Sequence, residues 1–191
     1  MSRFAIDATQ AAGELADFSR RMAAGARSLA ELEAPGEGCS ARDDVHHEDR
    51  VVLYRYRPLA ASAGLPPLLI CYALVNRPYM MDLQPDRSLI RGLLARGLDV
   101  YLIDWGYPEA ADRFLELDDY VNRYLAGCID HIRRTLRVPA VNLLGVCQGG
   151  TLALCHTALH PDGVRNLVTM VTPVDFHTPE NLLSKWIRGV D

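Results

Sequence analysis

With 191 residues, about half of them apolar, the chain can bury a core of ordinary size and most simply makes one domain. A formal net charge of −4 leaves no broad basic face, which argues against nucleic acid as the main partner and favours small molecules or proteins. The first residues, MSRFAIDATQ, lack a basic segment followed by an apolar stretch, and the longest nearly unbroken apolar run, residues 65–75, is too short to cross a bilayer, so a cytoplasmic protein without a transmembrane segment is expected.

Residues 7–33 read as a helix whose apolar stripe of Leu15, Phe18, Met22, Leu29 and Leu32 is interrupted at Gly25. That stripe suits either packing on its own domain or docking to a partner subunit. The polar, glycine-bearing stretch 34–44 reads as a linker, so residues 1–44 form an N-terminal helix and linker and residues 45–191 the main domain. RVVLYRYRP (50–58) alternates at period two up to a proline, as an outer strand would, and PLLICYALV (67–75) is apolar on both faces, as a central strand must be. DRSLIRGLLARG (86–97) offers Asp86 as N-cap, Leu89, Ile90, Leu93 and Leu94 as a buried stripe, and Gly97 as a stop. A second buried strand at 99–104, a helix at 118–137, a third strand at 140–146, a helix at 149–159 and a fourth strand at 166–171 complete the pattern. Such alternation predicts an α/β fold: a mostly parallel sheet with right-handed crossovers and helices on both faces.

The chemistry concentrates at NLLGVCQGGTLAL (142–154), where Cys147 stands between a buried strand and a helix, as a nucleophile elbow requires. Such a turn forces the nucleophile into a strained backbone, so the positions two residues either side must be nearly free of side chain. Gly145 and Gly149 meet that demand, and Gly150 lets the helix approach the sheet. The Gln148 backbone N–H would supply one oxyanion donor, and a second is expected from the end of the 67–75 strand at Leu74, with Ala73 and Val75 as neighbours. Two blander readings stand beside this one: Cys147 as a small buried residue, or the turn as a dinucleotide loop, which lacks the G-x-G-x-x-G spacing. The other cysteines, Cys39, Cys71, Cys128 and Cys155, read as reduced packing residues, since no C-x-x-C pair suggests a disulfide framework or zinc site.

GVCQGG, together with YALVNRPYMMDLQPDRSLIRGLLARGLDVYLIDWGYP and LVTMVTPVDFHTP, resembles the catalytic subunit of class III polyhydroxyalkanoate synthases from about Val51 to the last residue. The resemblance implies an α/β-hydrolase core and a Cys/His/Asp triad with Cys147 as nucleophile. It implies polymerisation of (R)-3-hydroxyacyl groups from coenzyme A thioesters, with the thioester as substrate and no cofactor or metal. A non-catalytic synthase subunit as partner, homo- or hetero-oligomers, and residence on polymer granules in the cytoplasm follow from it too. The chain ends at Asp191, before the family's acid and histidine, so it is expected to be the N-terminal part of the catalytic domain, truncated after the strand and helix that follow the elbow, and inactive alone.

No substitute is promoted to those roles. His177 and Asp175, after the fourth strand, stand too early for a triad. His156 and His160 read as surface or packing residues, and His46 and His47 as solvated. His131 and the 133–137 arginine cluster end a helix, where cations suit its dipole or could meet coenzyme A phosphates. Asp104 reads as a turn or cap residue at the cleft end of its strand. Two competing functions remain: a Cys-dependent hydrolase or thioesterase with water as acceptor, and a non-catalytic, partner-binding short form.

Overall fold

The fold follows from where the alternating strands can bury both faces. The computed structural model describes residues 8–31, 38–175 and 185–186. Two units are distinguished, Met1–Gly36 and Glu37–Asp191. In the first, α1 (Ala8–Glu31) carries Leu15, Phe18 and Met22 on one stripe. The Leu29 side chain and Leu32 lie outside the described residues.

The second unit comprises β1 (Arg42–Glu48), β2 (Val51–Tyr56), β3 (Leu68–Cys71), a small hairpin of β4 (Asp82–Gln84) and β5 (Arg87–Ser88), α2 (Leu89–Leu94), β6 (Val100–Asp104), α3 (Ala126–Leu136), β7 (Val141–Val146), α4 (Gln148–Leu159) and β8 (Val164–Met170). A π-helical stretch, Asp119–Leu125, runs into α3, so the helix expected at 118–137 is present with a widened first part. Six strands form one sheet in the order β1-β2-β6-β3-β7-β8. The pairings β6–β3, β3–β7 and β7–β8 are parallel; β1–β2 and β2–β6 are antiparallel.

Period-two alternation sends successive residues of each strand to opposite faces. Leu69 and Cys71 of β3 join Leu53, Ile103 and Leu143 beneath the π-helical stretch, α3 and α4. Leu68 and Ile70 join Leu102, Leu144 and Val146 on the other face, beneath Ile90 and Leu94 of α2. Each such large side chain contributes roughly 1.5–3 kcal/mol on full burial, so the two layers together fix the register that puts the ends of β3, β6 and β7 side by side.

Three local expectations are corrected. The strand at 50–58 is not the edge: β2 lies between β1 and β6, and the edge is β1, which begins inside the stretch read as a linker. Its sequence, RDDVHHE, hides the strand because only its partly buried positions face the domain. The cap of α2 is Ser88, whose hydroxyl accepts from Arg91 N–H, and not Asp86. Leu89 of the expected buried stripe stands exposed, while Gly97 ends the segment as expected, at φ +76°.

The β4–β5 hairpin is held by a buried carboxylate. Asp82 is fully buried and accepts from Cys39 N–H (3.1 Å), Ser40 N–H (2.7 Å), the Ser40 hydroxyl (2.8 Å), the Cys39 thiol and the Ser88 hydroxyl. Because Ser88 also caps α2, one carboxylate links the start of this unit, the hairpin and the helix. Burial alone would raise the Asp82 pKa, but hydrogen bonds from Ser88, Cys39 and Ser40 outweigh it and hold the carboxyl below its usual range.

Asp82→Ala should cost about 2–4 kcal/mol in urea unfolding, since it strands several buried donors. A carboxyl with a depressed folded-state pKa stabilises the fold above the unfolded value of 3.8 and loses that contribution as pH falls through the folded value. Asp82→Asn should therefore flatten the acid limb of stability against pH, and an unchanged limb would show that other carboxylates set it.

Candidate active site

Cys147 sits between β7 and α4 at φ +55° and ψ −128°, a backbone region that L-residues avoid. Its N–H donates to Met170 O of β8 (2.9 Å) and its carbonyl accepts from Gly150 N–H (2.9 Å), so both peptide groups of the strained residue are held. The side chain is exposed, unlike those of Cys71 and Cys128, so the reading of Cys147 as a buried packing residue is set aside.

The three glycines of the turn are there for contact. A Cβ on Gly145 would lie 2.5 Å from Gly150 Cα and 2.9 Å from Ala153 Cβ; on Gly149, 2.5 Å from Tyr72 O; on Gly150, 2.7 Å from Thr172 Cγ2. Real side chains essentially never approach so closely, so α4 begins against the ends of β3 and β8 only because these positions carry none. Val171, just past β8, is a second strained residue at φ +47°, and Thr151 of α4 donates to Pro173 O (2.8 Å).

The second side of the turn is the loop after β3. Trp105 Nε1–H donates to Tyr72 O (2.9 Å), and Leu74 N–H donates to the side-chain oxygen of Gln148 (3.3 Å). Leu74 N–H, the amide singled out as an oxyanion donor, is therefore engaged by Gln148, while Val75 beside it is strongly exposed. Burial and then the nearby Cys147 sulfur push the Tyr72 phenol above its ordinary range. Neither Tyr72 nor the Gln148 side chain was singled out from sequence. Their signal is positional only: Gln148 follows the nucleophile, and Tyr72 ends the central strand. A small cavity of about 60 Å³ opens beside Leu74, walled by Trp105, Tyr120 and Tyr124, with the Arg50–Asp112 ion pair at its edge.

The other candidates lie apart from the elbow. His156 is buried, its Nδ1 3.0 Å from Val121 O, and His160 Nε2 lies 2.8 Å from Asn122 Oδ1. His46 stacks on His131 at 4.8 Å, and Arg133 pairs with Asp130. Asp104 caps its turn by accepting from Gly106 N–H (3.0 Å) and faces Arg77 at 3.7 Å. Asp175 is exposed, and His177 lies outside the described residues. Among the described residues no group of three or more His, Cys, Asp or Glu is placed to hold a metal ion, and no helix is long and apolar enough to cross a membrane.

Residues 66–190 match a family model described as alpha/beta hydrolase fold. The chain is 59% identical over 180 residues to the poly(3-hydroxyalkanoate) polymerase subunit PhaC of Allochromatium vinosum, covering 93% of this chain and 51% of that one. It is 54% identical to the PhaC subunit of Thiocystis violacea (94% and 51% covered) and 49% identical to that of Synechocystis (90% and 46% covered). The chain thus spans about half the length of these relatives. Among solved structures, epoxide hydrolase A of Mycobacterium thermoresistibile superposes with a TM-score of 0.52 at 16% identity, covering 79% of this chain and 44% of that one, which shows the shared fold.

Gly149→Ala should destabilise the protein by about 1–3 kcal/mol, because the methyl group meets backbone that cannot yield. Iodoacetamide should modify Cys147 first in the native protein. Cys71 and Cys128 should react only on unfolding, since burial, then the neighbouring Cys128, pushes the Cys71 thiol up, and burial, then Glu48, pushes that of Cys128 up to about 12. Peptide mapping that finds Cys147 unmodified while Cys71 reacts would contradict this geometry.

Proposed function

The chain belongs to the alpha/beta hydrolase fold family, and from its likeness to the poly(3-hydroxyalkanoate) polymerase subunits we propose that it shares their chemistry, with Cys147 as the nucleophile that accepts (R)-3-hydroxyacyl groups from coenzyme A. The observation that carries this reading is the strained, exposed Cys147 at the start of α4, flanked by glycines that admit no side chain.

The Cys147 thiolate attacks the thioester carbonyl, and the carbonyl oxygen takes the negative charge of a tetrahedral intermediate. The Gln148 backbone N–H and an amide of the loop after β3 stabilise that charge. Collapse expels coenzyme A as its thiolate and leaves the acyl group on sulfur. One thioester is exchanged for another, so the acyl group stays activated, and attack by a hydroxyl of the growing polyester then runs downhill to an oxoester. A serine in this place would trap the acyl unit as an ester. The second step needs a base for the hydroxyl proton. His156 bonds Val121 and His160 bonds Asn122, so neither is assigned that role. The chemistry uses the thioester as substrate and calls for no cofactor.

The same reading places the protein at cytoplasmic polymer granules, with a non-catalytic class III subunit as partner. We assign that contact to the apolar stripe Leu15, Phe18 and Met22 of α1.

Incubated with 3-hydroxybutyryl-CoA, the chain should gain one acyl group, recorded by intact mass, and release one equivalent of coenzyme A with no sustained turnover. Cys147→Ala should abolish the adduct. Multiple turnovers would show that this chain already holds its base, and free hydroxy acid as product would move the acceptor from alcohol to water. For the partner, Phe18→Asp should weaken association with the second subunit in sedimentation, because a charge would be buried in an apolar contact; unchanged assembly would place that contact elsewhere.

A further inference from the structure

We infer that the side chain of Gln148 is a positioning residue, tying the loop after β3 to the first turn of α4 so that the two backbone donors of the oxyanion site keep a fixed separation. The inference rests on the reading of Cys147 as the acylated nucleophile.

The oxyanion site is assembled from two segments distant in sequence. One donor is the Gln148 amide, fixed by the start of α4. The other belongs to the loop that leaves β3. That loop is pinned at its beginning: Tyr72 O accepts from Trp105, and the Cys71–Tyr72 backbone lies against Gly149. Four residues past the end of β3 it is in the open, with Val75 88% exposed. The last hold before that point is Leu74, whose side chain packs at the margin of the core and whose N–H donates to Gln148 Oε1 at 3.3 Å. An amide N–H can be met only by an acceptor, so the carboxamide oxygen faces Leu74 and the carboxamide nitrogen points elsewhere.

One residue thus contributes to the site twice, by its backbone N–H and by a side chain that holds the segment carrying the second donor. The bond also occupies Leu74 N–H, which shifts the second donor to a neighbouring amide of the loop. A side chain of the same length without an acceptor would leave the loop held only by the packing of Leu74. The two donors would then drift apart on the scale of an ångström, enough to cost roughly 100-fold in a reaction that depends on placement.

The test compares two reactions of Cys147 in the full chain. Acylation by 3-hydroxybutyryl-CoA passes through an oxyanion; alkylation by iodoacetamide does not. In Gln148→Met, single-turnover acylation should fall by about 10–100-fold, while alkylation stays within about twofold of the unmodified chain. Hydrogen exchange at the Leu74 amide should quicken in Gln148→Met and stay slow in Gln148→Glu, which keeps the acceptor. Unchanged acylation in Gln148→Met overturns the inference and leaves the nucleophile intact. Parallel loss of both reactions overturns it in favour of a general structural role. If the unmodified chain is alkylated but not acylated, the reading of Cys147 falls and the positioning role with it, and the Leu74 exchange then reports only whether the tether exists.

Discussion

Everything at this site depends on one backbone conformation. A non-glycine residue at φ +55° and ψ −128° costs on the order of 1–3 kcal/mol and persists only where its surroundings leave no alternative. Here they leave none. The Cys147 N–H is drawn into the β7–β8 ladder through Met170, its carbonyl is taken by the first turn of α4, and α4 is pressed against the ends of β3 and β8 where Gly149 and Gly150 lack side chains. The strain lifts the Cys147 side chain out of the core into solvent, whereas Cys71 and Cys128, in relaxed strand and helix, stay buried.

The sheet supplies that over-determination. Because β3 pairs with both β6 and β7 in parallel, the strand ends that carry Tyr72, Trp105 and Cys147 arrive at one edge. Apolar layers on both faces hold the pairings in register, and a slip of one residue would exchange Leu69 and Cys71 for Leu68 and Ile70 on each face. The Trp105 indole then crosses from the end of β6 to the Tyr72 carbonyl, so the loop after β3 starts from a fixed point.

What was legible in the sequence was what sterics and periodicity write into residue identity. The central strands announced themselves by unbroken apolar runs, and the elbow by three glycines whose absence of side chain is a direct record of close approach. What was not legible depends on partners far away in the chain. β1 carries a polar sequence and becomes a strand because β2 offers it an edge. Cys39 and Ser40 read as linker because nothing local reveals Asp82, more than forty residues on, as their acceptor. Asp86 was the cap expected from sequence, but the cap is Ser88, whose hydroxyl donates to Asp82 while accepting from Arg91, a double role closed to a carboxylate. Gln148 belongs to the same class: its backbone role follows from the motif, its side-chain role only from the loop that the fold brings beside it.

These two kinds of residue divide the chemistry between them. Glycines and a strained, exposed cysteine make the turn proposed to carry the nucleophile, and that part of the site is local and readable. The proposed oxyanion site would take donors from two segments whose separation no local sequence can set, since one amide rides on a helix start and the other on a loop that leaves a neighbouring strand. In the proposed acyl transfer substrate and acyl-enzyme would both be thioesters, so the exchange would have little free-energy drop of its own and its rate would depend on lowering the barrier rather than on a downhill product. A loop held by side-chain packing alone would put that barrier at the mercy of loop motion. The carboxamide that joins the two segments therefore sits where the fold is least able to enforce the geometry that the chemistry most requires.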